Sequence, residues 1–201
     1  IYTPKYVSQH TVDNNYSMSF DGVDDYFNLG NSDFTDTTYS LSLWFKSSHN
    51  GTMILSEKIP AVGGAYAYRI YLYGSNGDLE LLGSRTSGTA YNDGNWHHVV
   101  IVQDPSLSSG KSKGYIDGNL IEQNNSSGNT SGPNDLYIGC RNGSQHFFKG
   151  QIDEVSIFDK ALTADQIKFD IYEASTTANK SADFINNPNL PNPVAWYRMG
   201  D

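Results

Sequence analysis

The stretch that decides the fold is Tyr39-Ser40-Leu41-Ser42-Leu43-Trp44-Phe45, in which apolar and small polar residues alternate. Successive side chains of an extended strand point to opposite faces, so this alternation predicts a half-buried strand. The same pattern occurs in Tyr16-Ser17-Met18-Ser19-Phe20, and further strands are predicted over residues 97–103, 136–140 and 151–158. The chain therefore builds its core from strands.

Short turn sequences join several of these segments. Asn76-Gly77 lies between predicted strands at residues 69–73 and 79–82. Asp117-Gly118 lies between residues 114–116 and 120–121 in the same way. Asn-Gly and similar pairs supply the positive backbone angles of a tight turn, so both sites are predicted to be hairpins.

One segment has helical periodicity. In residues 163–172, Thr163 can cap the first turn, Gln166 follows three residues later, and Ile167 and Ile171 share a face. Many short strands with turns between them and almost no helix predict an all-β fold. We expect a two-sheet antiparallel β-sandwich, or jelly roll, with one short helix near the C-terminal end.

Length and composition suggest the domain organisation. A chain of 201 residues suits one sandwich domain, because all-β sandwiches often exceed the usual domain length. We expect a lead-in over residues 1–15, the sandwich over 16–174, and a linker with a C-terminal strand over 175–201. The aromatic and aliphatic residues within 194–199 predict an ordered strand, because they are costly to leave in water. That strand either closes its own domain near residues 151–158, pairs in the same place of a neighbouring copy, or begins a neighbouring module.

The net charge of −9 limits the partners. Nucleic acids and anionic membranes are bound through basic patches, so neither is an expected partner. No apolar run approaches the roughly 20 residues of a membrane span, so no membrane insertion is expected. Cys140 is the single cysteine, which excludes an intrachain disulfide.

Several segments together resemble the laminin-G-like jelly-roll family, kin to the concanavalin A-like lectins and glucanases. These segments are residues 19–26, 42–45, 96–100 with 115–118, and 150–155 with 159–163. They occur in the order and spacing of the family. The resemblance implies a jelly-roll fold that serves sugar binding, protein adhesion or passive structure, and such a fold does not by itself name a function.

The sequence does not predict an enzyme. Related glucanases carry a Glu-x-Asp-x-x-Glu type strand, which supplies the two carboxylates of hydrolysis, and this sequence has none. The nearest acidic pair, Asp78 and Glu80, is typical of a solvated sheet face. We expect a non-catalytic module that binds glycan or protein in a larger secreted, cell-surface or virion-surface assembly. The alternative is a purely structural assembly domain, such as a phage or virion decoration, a fibre or an adhesin repeat, without a glycan ligand.

Three residues on one strand are the candidate ligand-binding residues. Arg69, Tyr71 and Tyr73 share one strand face, where they can contact a sugar by ring stacking and guanidinium hydrogen bonds. A solvated sheet face or a subunit contact remains the alternative.

The tryptophans and histidines near the centre of the sequence are predicted to be structural. Trp44 and Trp96 lie in strands and are expected in the core rather than as sugar-stacking platforms. Where Leu43 faces the core, however, Trp44 needs cover from a loop or lies in a concave face. His97 and His98 point to opposite faces of their strand and cannot chelate one ion together.

Asp21 and Asp153 are the candidate metal ligands. Related jelly rolls often tie the opening turn to the closing strand with a metal, so the resemblance implies one structural Ca²⁺ here. Charge gives an independent reason, because Asp24 and Asp25 add carboxylates to the opening turn and a divalent cation would offset their repulsion. The alternative is that these acids only form turns and accept backbone donors.

Overall fold

The described part of the chain consists mainly of short strands. The computed structural model describes residues 11–30, 38–51, 53–58, 67–86, 88–125, 135–176 and 180–198. Its strands, in chain order, are β1 (Thr11–Asp13), β2 (Met18–Asp21), β3 (Phe27–Asn28), β4 (Tyr39–Lys46), β5 (Met53–Lys58), β6 (Ala67–Leu72), β7 (Leu79–Leu81), β8 (Ser84–Arg85), β9 (Trp96–Gln103), β10 (Ser112–Ile116), β11 (Asn119–Asn124), β12 (Leu136–Ile138), β13 (Lys149–Phe158), β14 (Lys180–Ala182) and β15 (Ala195–Tyr197). A helical segment with π-type turns, α1 (Gln166–Tyr172), is followed by a short 3-10 turn (Glu173–Ser175).

Two antiparallel sheets form the sandwich, which confirms the predicted fold class. The seven-stranded sheet has the order β11-β10-β9-β4-β13, and β2 and β15 both pair with the free edge of β13. The six-stranded sheet has the order β3-β12-β5-β6-β7-β8, and β1 pairs separately with β14. Because β13 is ten residues long, its two halves can take different partners along one edge.

The main core lies between the two sheets. Leu41, Leu43 and Phe45 of β4 are fully buried there, so the alternation in this strand places its apolar face inward as predicted. The other sheet contributes its own buried apolar side chains, which include Leu55, Ile70, Leu72, Leu79 and Ile138. Burial of each large apolar side chain contributes about 1.5 to 3 kcal/mol, so this layer supplies the main driving force for folding.

A second apolar cluster covers the outer face of the seven-stranded sheet. Val100, Val102 and Phe158 on that face pack with residues from α1 and from the segment after β14, among them Ile167, Ile171, Phe184 and Leu190. The central strands are thus buried on both faces over most of their length. No helix among the described residues is long and apolar enough to cross a membrane.

The start of α1 has the predicted capping arrangement. The Gln166 N–H donates to Thr163 Oγ1 at 3.2 Å, and the Thr163 N–H donates to Gln166 Oε1 at 2.9 Å. These reciprocal bonds satisfy two donors that would otherwise lack partners at a helix start. Ile167 and Ile171 are both buried, so the predicted apolar face of this segment packs on the sheet.

The C-terminal segment forms the predicted strand within its own chain. Ala195–Tyr197 pairs antiparallel with β13, with Trp196 opposite Ser156. The Trp196 ring contacts Phe184 edge-on, with ring centroids 5.0 Å apart. The predicted span 194–199 therefore contains the strand, and its last residue, Met199, lies outside the described residues.

Candidate functional site

A bulge in β13 builds one side of the candidate site. Asp153 lies opposite Trp44 and Ser156 lies opposite Ser42, so two residues of β13 lie opposite one residue of β4. Glu154 has a φ of +51°, in the left-handed region that non-glycine residues rarely adopt. On a regular strand consecutive side chains alternate between faces, but this bulge turns Asp153 and Glu154 to the same face.

The bulge opens into a cleft of about 510 Å³ on the outer face of the seven-stranded sheet. The sheet contributes the floor, and the chain before β2, the end of the helical region and β14 contribute the walls. The lining residues are Asn14, Asn15, Tyr16, Ser17, Trp44, Trp96, Gln151, Asp153, Glu154, Tyr172, Ser175, Thr176, Lys180 and Ser181. We call this cavity the aromatic cleft.

Three nearly parallel rings lie at this site. The half-buried Trp44 ring stacks on His98 at 5.0 Å and on Tyr172 at 5.8 Å, measured between ring centroids. Trp96 adds a second indole to the cleft and is 37% exposed. The prediction that Trp96 belongs to the core is therefore wrong, because its side chain lies on the outer face beyond the covering layer. Trp44 also points away from the inter-sheet core, and Tyr172 supplies the cover that the alternation requires.

The two carboxylates are held by donors from both ends of the chain. Asn14 Nδ2 donates to Asp153 Oδ2 and to Glu154 Oε1, each at 2.8 Å. The Trp196 indole N–H donates to Glu154 Oε2 at 2.6 Å, and Arg198 Nε lies 3.7 Å from Glu154 Oε1. Glu154 thus ties β13 to the segments that precede β2 and follow β14.

Glu154 has a strongly raised pKa. Burial, with a smaller contribution from the neighbouring Asp153 charge, raises the pKa of Glu154 to about 7, against the lowering effect of the Trp196 hydrogen bond. Glu154 is only 3% exposed. A carboxyl group with this pKa is partly protonated near neutral pH, so it can accept or donate a hydrogen bond.

The two histidines lie on opposite faces of β9, as predicted. His97 Nδ1 lies 2.9 Å from Asp117 Oδ2, and its ring contacts Phe45. His98 is fully buried beside Trp44, its Nε2 lies 2.7 Å from Ser42 Oγ, and burial lowers its pKa to about 4. Both histidines therefore have structural contacts that account for their positions.

The predicted ligand-binding residues lie together on the outer face of the other sheet. Arg69 Nε lies 3.1 Å from Glu80 Oε1, and the Tyr73 hydroxyl donates to Glu80 Oε2 at 2.8 Å. Tyr71 is 8% exposed, and its ring lies 4.8 Å from that of Tyr73. The three side chains share one face of the sheet as the sequence predicts, and the Glu80 carboxylate contacts both Arg69 and Tyr73.

The structure separates the two predicted metal ligands. Asp21 lies opposite Lys149, and Asp153 lies four residues further along β13. At about 3.3 Å per residue this is about 13 Å, so one ion cannot contact both carboxylates. The pairing of Asp21 with Asp153 is therefore wrong, because the antiparallel register of β2 and β13 places them at different heights.

Asp21 lies instead in an exposed acidic cluster with Asp24 and Asp25. Carboxylate oxygens of the three residues lie within 4.8 Å of one another. Asp25 Oδ2 accepts the Asp21 N–H at 2.8 Å, and Asp21 Oδ1 accepts the Val23 N–H at 2.7 Å. An all-oxygen donor set of this kind suits Ca²⁺, although two of the carboxylates also serve the turn.

The family of the chain follows from comparison with known families. A family model described as the concanavalin A-like lectin/glucanases superfamily matches residues 21–168. The chain belongs to this superfamily. The match confirms the resemblance seen in the sequence, and it runs from the last residue of β2 to the first turn of α1, which includes most of the cleft floor. A comparison with curated protein sequences gives no match.

Solved structures with a similar fold include a pentraxin and parts of sialidases. The heptameric SAP-like pentraxin of Limulus polyphemus matches with a TM-score of 0.54 and 16% identity over 80% of this chain and 81% of that one. The CBM40 of the Ruminococcus gnavus IT-sialidase, bound to α2,3 sialyllactose, has a TM-score of 0.55 and 14% identity over 79% and 96%. Trypanosoma rangeli sialidase has a TM-score of 0.59 and 15% identity, but the match covers 76% of this chain and 26% of that one. At these identities the likeness shows the fold.

The residues that sequence reasoning missed are mostly those contributed by the chain ends. Asn14, Tyr172 and Ser181 belong to segments outside the predicted strands, and the fold brings them to the walls of the cleft. One signal was present in the sequence, since Asp153-Glu154 interrupts the alternation of β13. A β-bulge breaks the alternation of a strand and re-aims side chains, often next to functional sites.

Proposed function

We propose that the chain is a non-catalytic module that binds glycan in the aromatic cleft. The observation that carries the proposal is the combination of Trp44, Trp96 and Tyr172 with carboxylate and amide groups in one open cavity. Aromatic faces bury the apolar face of a sugar ring, while the polar groups bind its hydroxyls, and such a mixture is typical of ligand sites.

The arrangement of the acids supports binding rather than hydrolysis. Glycoside hydrolysis needs two carboxyl groups that flank the scissile bond. Asp153 and Glu154 are adjacent in the chain, and one amide nitrogen of Asn14 contacts both. They therefore approach a ligand from one side, where they serve as hydrogen-bond acceptors.

Superfamily membership and the carbohydrate-bound CBM40 give the proposal its context. The proposal places the chain outside the cell, at a cell or virion surface, where glycans are displayed. It further includes one structural Ca²⁺ at Asp21, Asp24 and Asp25, because that cluster offers three close oxygen ligands.

A glycan array followed by calorimetric titration with the best ligand tests the proposal. The key variant is Trp96→Ala. Because Trp96 is 37% exposed, we expect its removal to leave the fold intact. We expect affinity to fall by about tenfold or more, as for aromatic residues at the centre of binding sites. Trp44→Ala should act in the same direction, with folding checked by circular dichroism.

The matched control is Tyr73→Ala on the outer face of the other sheet. We expect it to leave glycan affinity unchanged. Loss of affinity in Tyr73→Ala with full affinity in Trp96→Ala would move the ligand to the row of Arg69, Tyr71 and Tyr73. A stable homo-oligomer that binds no glycan would support the structural assembly role instead.

A further inference from the structure

A second cavity of about 580 Å³ adjoins the aromatic cleft and has the opposite electrostatic character. Its lining residues are Ser19, Phe20, Lys46, Ser47, Ser48, His49, Gly94, Lys149, Gly150 and Gln151. Lys46, Lys149 and His49 thus meet in one cavity of a protein whose net charge is −9. We call this cavity the basic pocket.

The strand register shows that the two cavities form one groove. Gln151 lines both of them. Lys46 lies opposite Gln151 on one side and opposite Trp96 on the other. A ligand ring on Trp96 therefore lies beside the Lys46 position, and a longer ligand can extend from the aromatic cleft into the basic pocket.

The two lysines are not used by the fold. Within the described residues, neither Lys46 nor Lys149 has a side-chain hydrogen bond or an ion pair, whereas Arg85, Lys180 and Arg198 each lie beside a carboxylate. Lys46 and Lys149 are diagonal neighbours on adjacent strands, since Lys149 lies two residues from Gln151. Such positions lie about 7 to 8 Å apart, within reach of one shared anion for long side chains.

Hydroxyl groups complete the donor set of the pocket. Ser19 and Ser48 line it beside the lysines, and both are exposed. Ser47 Oγ donates to the Lys149 carbonyl at 2.7 Å and accepts the His49 N–H at 3.1 Å, which fixes the loop that carries His49. Ammonium and hydroxyl donors around a cavity are suited to sulfate or carboxylate oxygens.

We infer that the basic pocket binds an anionic substituent, a sulfate ester or a carboxylate, of the glycan held in the aromatic cleft. This inference rests on the proposed glycan binding and adds the class of ligand. The polarity of the groove also sets the direction of the ligand. Its anionic end lies nearest Lys46, because Asp21 lies opposite Lys149, and its neutral hydroxyls lie at Asp153 and Glu154, where an anion would be repelled.

Matched oligosaccharides that differ only in the anionic group test the inference. Lactose with 3′-sulfolactose is one such pair, 3′-sialyllactose with its neutral methyl ester is another, and an array should include equivalent pairs on other neutral cores. We expect the preferred anionic member to bind roughly tenfold more tightly than its neutral partner at low salt, as for hydrogen bonds to charged groups. The advantage should shrink as ionic strength rises, because the lysines are accessible to solvent.

The double variant Lys46→Gln with Lys149→Gln should abolish the advantage and leave affinity for the neutral partner unchanged. The double variant Lys113→Gln with Lys168→Gln removes the same charge elsewhere and should keep the advantage. Equal binding of neutral and anionic partners by the wild type, or equal losses in both double variants, would overturn the inference while glycan binding stands.

Inorganic sulfate gives an independent readout of the pocket. In a nuclear magnetic resonance titration, we expect amide shifts centred on Ser47, His49 and Lys149 that disappear in the Lys46→Gln and Lys149→Gln variant. If no glycan binds and sulfate shifts none of these amides, both proposals fail. If glycan binding is absent and sulfate still binds here, the proposed function fails and the anion site remains.

Discussion

Replacing Glu154 by glutamine shows how the charge of this residue affects the free energy of unfolding, without the need for a ligand. Glutamine keeps the size of the side chain and an oxygen acceptor for the Trp196 N–H, and it removes the charge. The folded protein raises the pKa of Glu154 from 4.5 to about 7. A raised carboxyl pKa means that folding favours the protonated form. The contribution of Glu154 to the unfolding free energy is therefore fully present below about pH 4.5 and is lost as pH rises through about 7.

The magnitude follows from the two pKa values. Since one pKa unit corresponds to about 1.36 kcal/mol, the change from 4.5 to about 7 costs about 3 kcal/mol of unfolding free energy at pH 8. His98 acts in the opposite direction, because its pKa of about 4 means that stability is lost as pH falls from about 6.5. The two effects partly cancel in the wild type, so its pH profile alone is not informative.

The difference between the variant and the wild type isolates Glu154. Urea unfolding followed by tryptophan fluorescence at several values between about pH 4 and pH 8 gives both free energies. As pH rises from about 4 to about 8, we expect the unfolding free energy of the variant to increase by about 3 kcal/mol relative to that of the wild type. Glu122→Gln, on the edge strand β11, controls for the loss of one carboxylate. A difference that stays constant with pH would refute the account of a buried, destabilised charge.

Two further predictions concern the ends of the sandwich. Trp196→Ala should lower the unfolding free energy by about 2 kcal/mol or more, because it removes the contact with Phe184 and the donor to Glu154. Tyr197→Ala, at a residue that is 38% exposed, is the control and should cost less; equal melting temperatures for the two would contradict the prediction. Calcium should raise the melting temperature and a chelator should reverse the rise, with a gain of about 2.7 kcal/mol at a hundred times the dissociation constant. Asp24→Asn should abolish the effect and Asp165→Asn should not. A melting temperature that does not change when calcium is added would exclude the site.

The sandwich was predictable because its strands follow simple periodicity. β4, β9 and β13 carry apolar residues that match the inter-sheet core, and Asp117-Gly118 has positive φ at both residues, as a tight hairpin requires. β5 was not predicted. Its sequence, Met-Ile-Leu-Ser-Glu-Lys, does not alternate, and its pairing with β6 shifts register twice, so period-two analysis fails there.

The site was less predictable than the fold because it depends on contacts between distant segments. Sequence patterns identify Trp44 as a strand residue, but its cover comes from Tyr172, which lies far along the chain. The metal prediction failed for the same reason. Asp21 and Asp153 do lie on neighbouring strands, and only the register of β2 with β13 separates them. Register depends on the whole sheet and cannot be read from either strand alone.

The cost of Glu154 gives a reason to assign the bulge to binding. A buried carboxylate with a raised pKa destabilises the protein at neutral pH, and a strained φ of +51° adds a further cost. The chain nevertheless surrounds this residue with Asn14, Trp196 and Arg198, which orient it toward a cavity instead of burying it in the core. Residues that lower stability and are held in position by neighbours are typical of functional sites. If Glu154→Gln gains stability and loses glycan affinity, the acid contributes to binding at the expense of the fold.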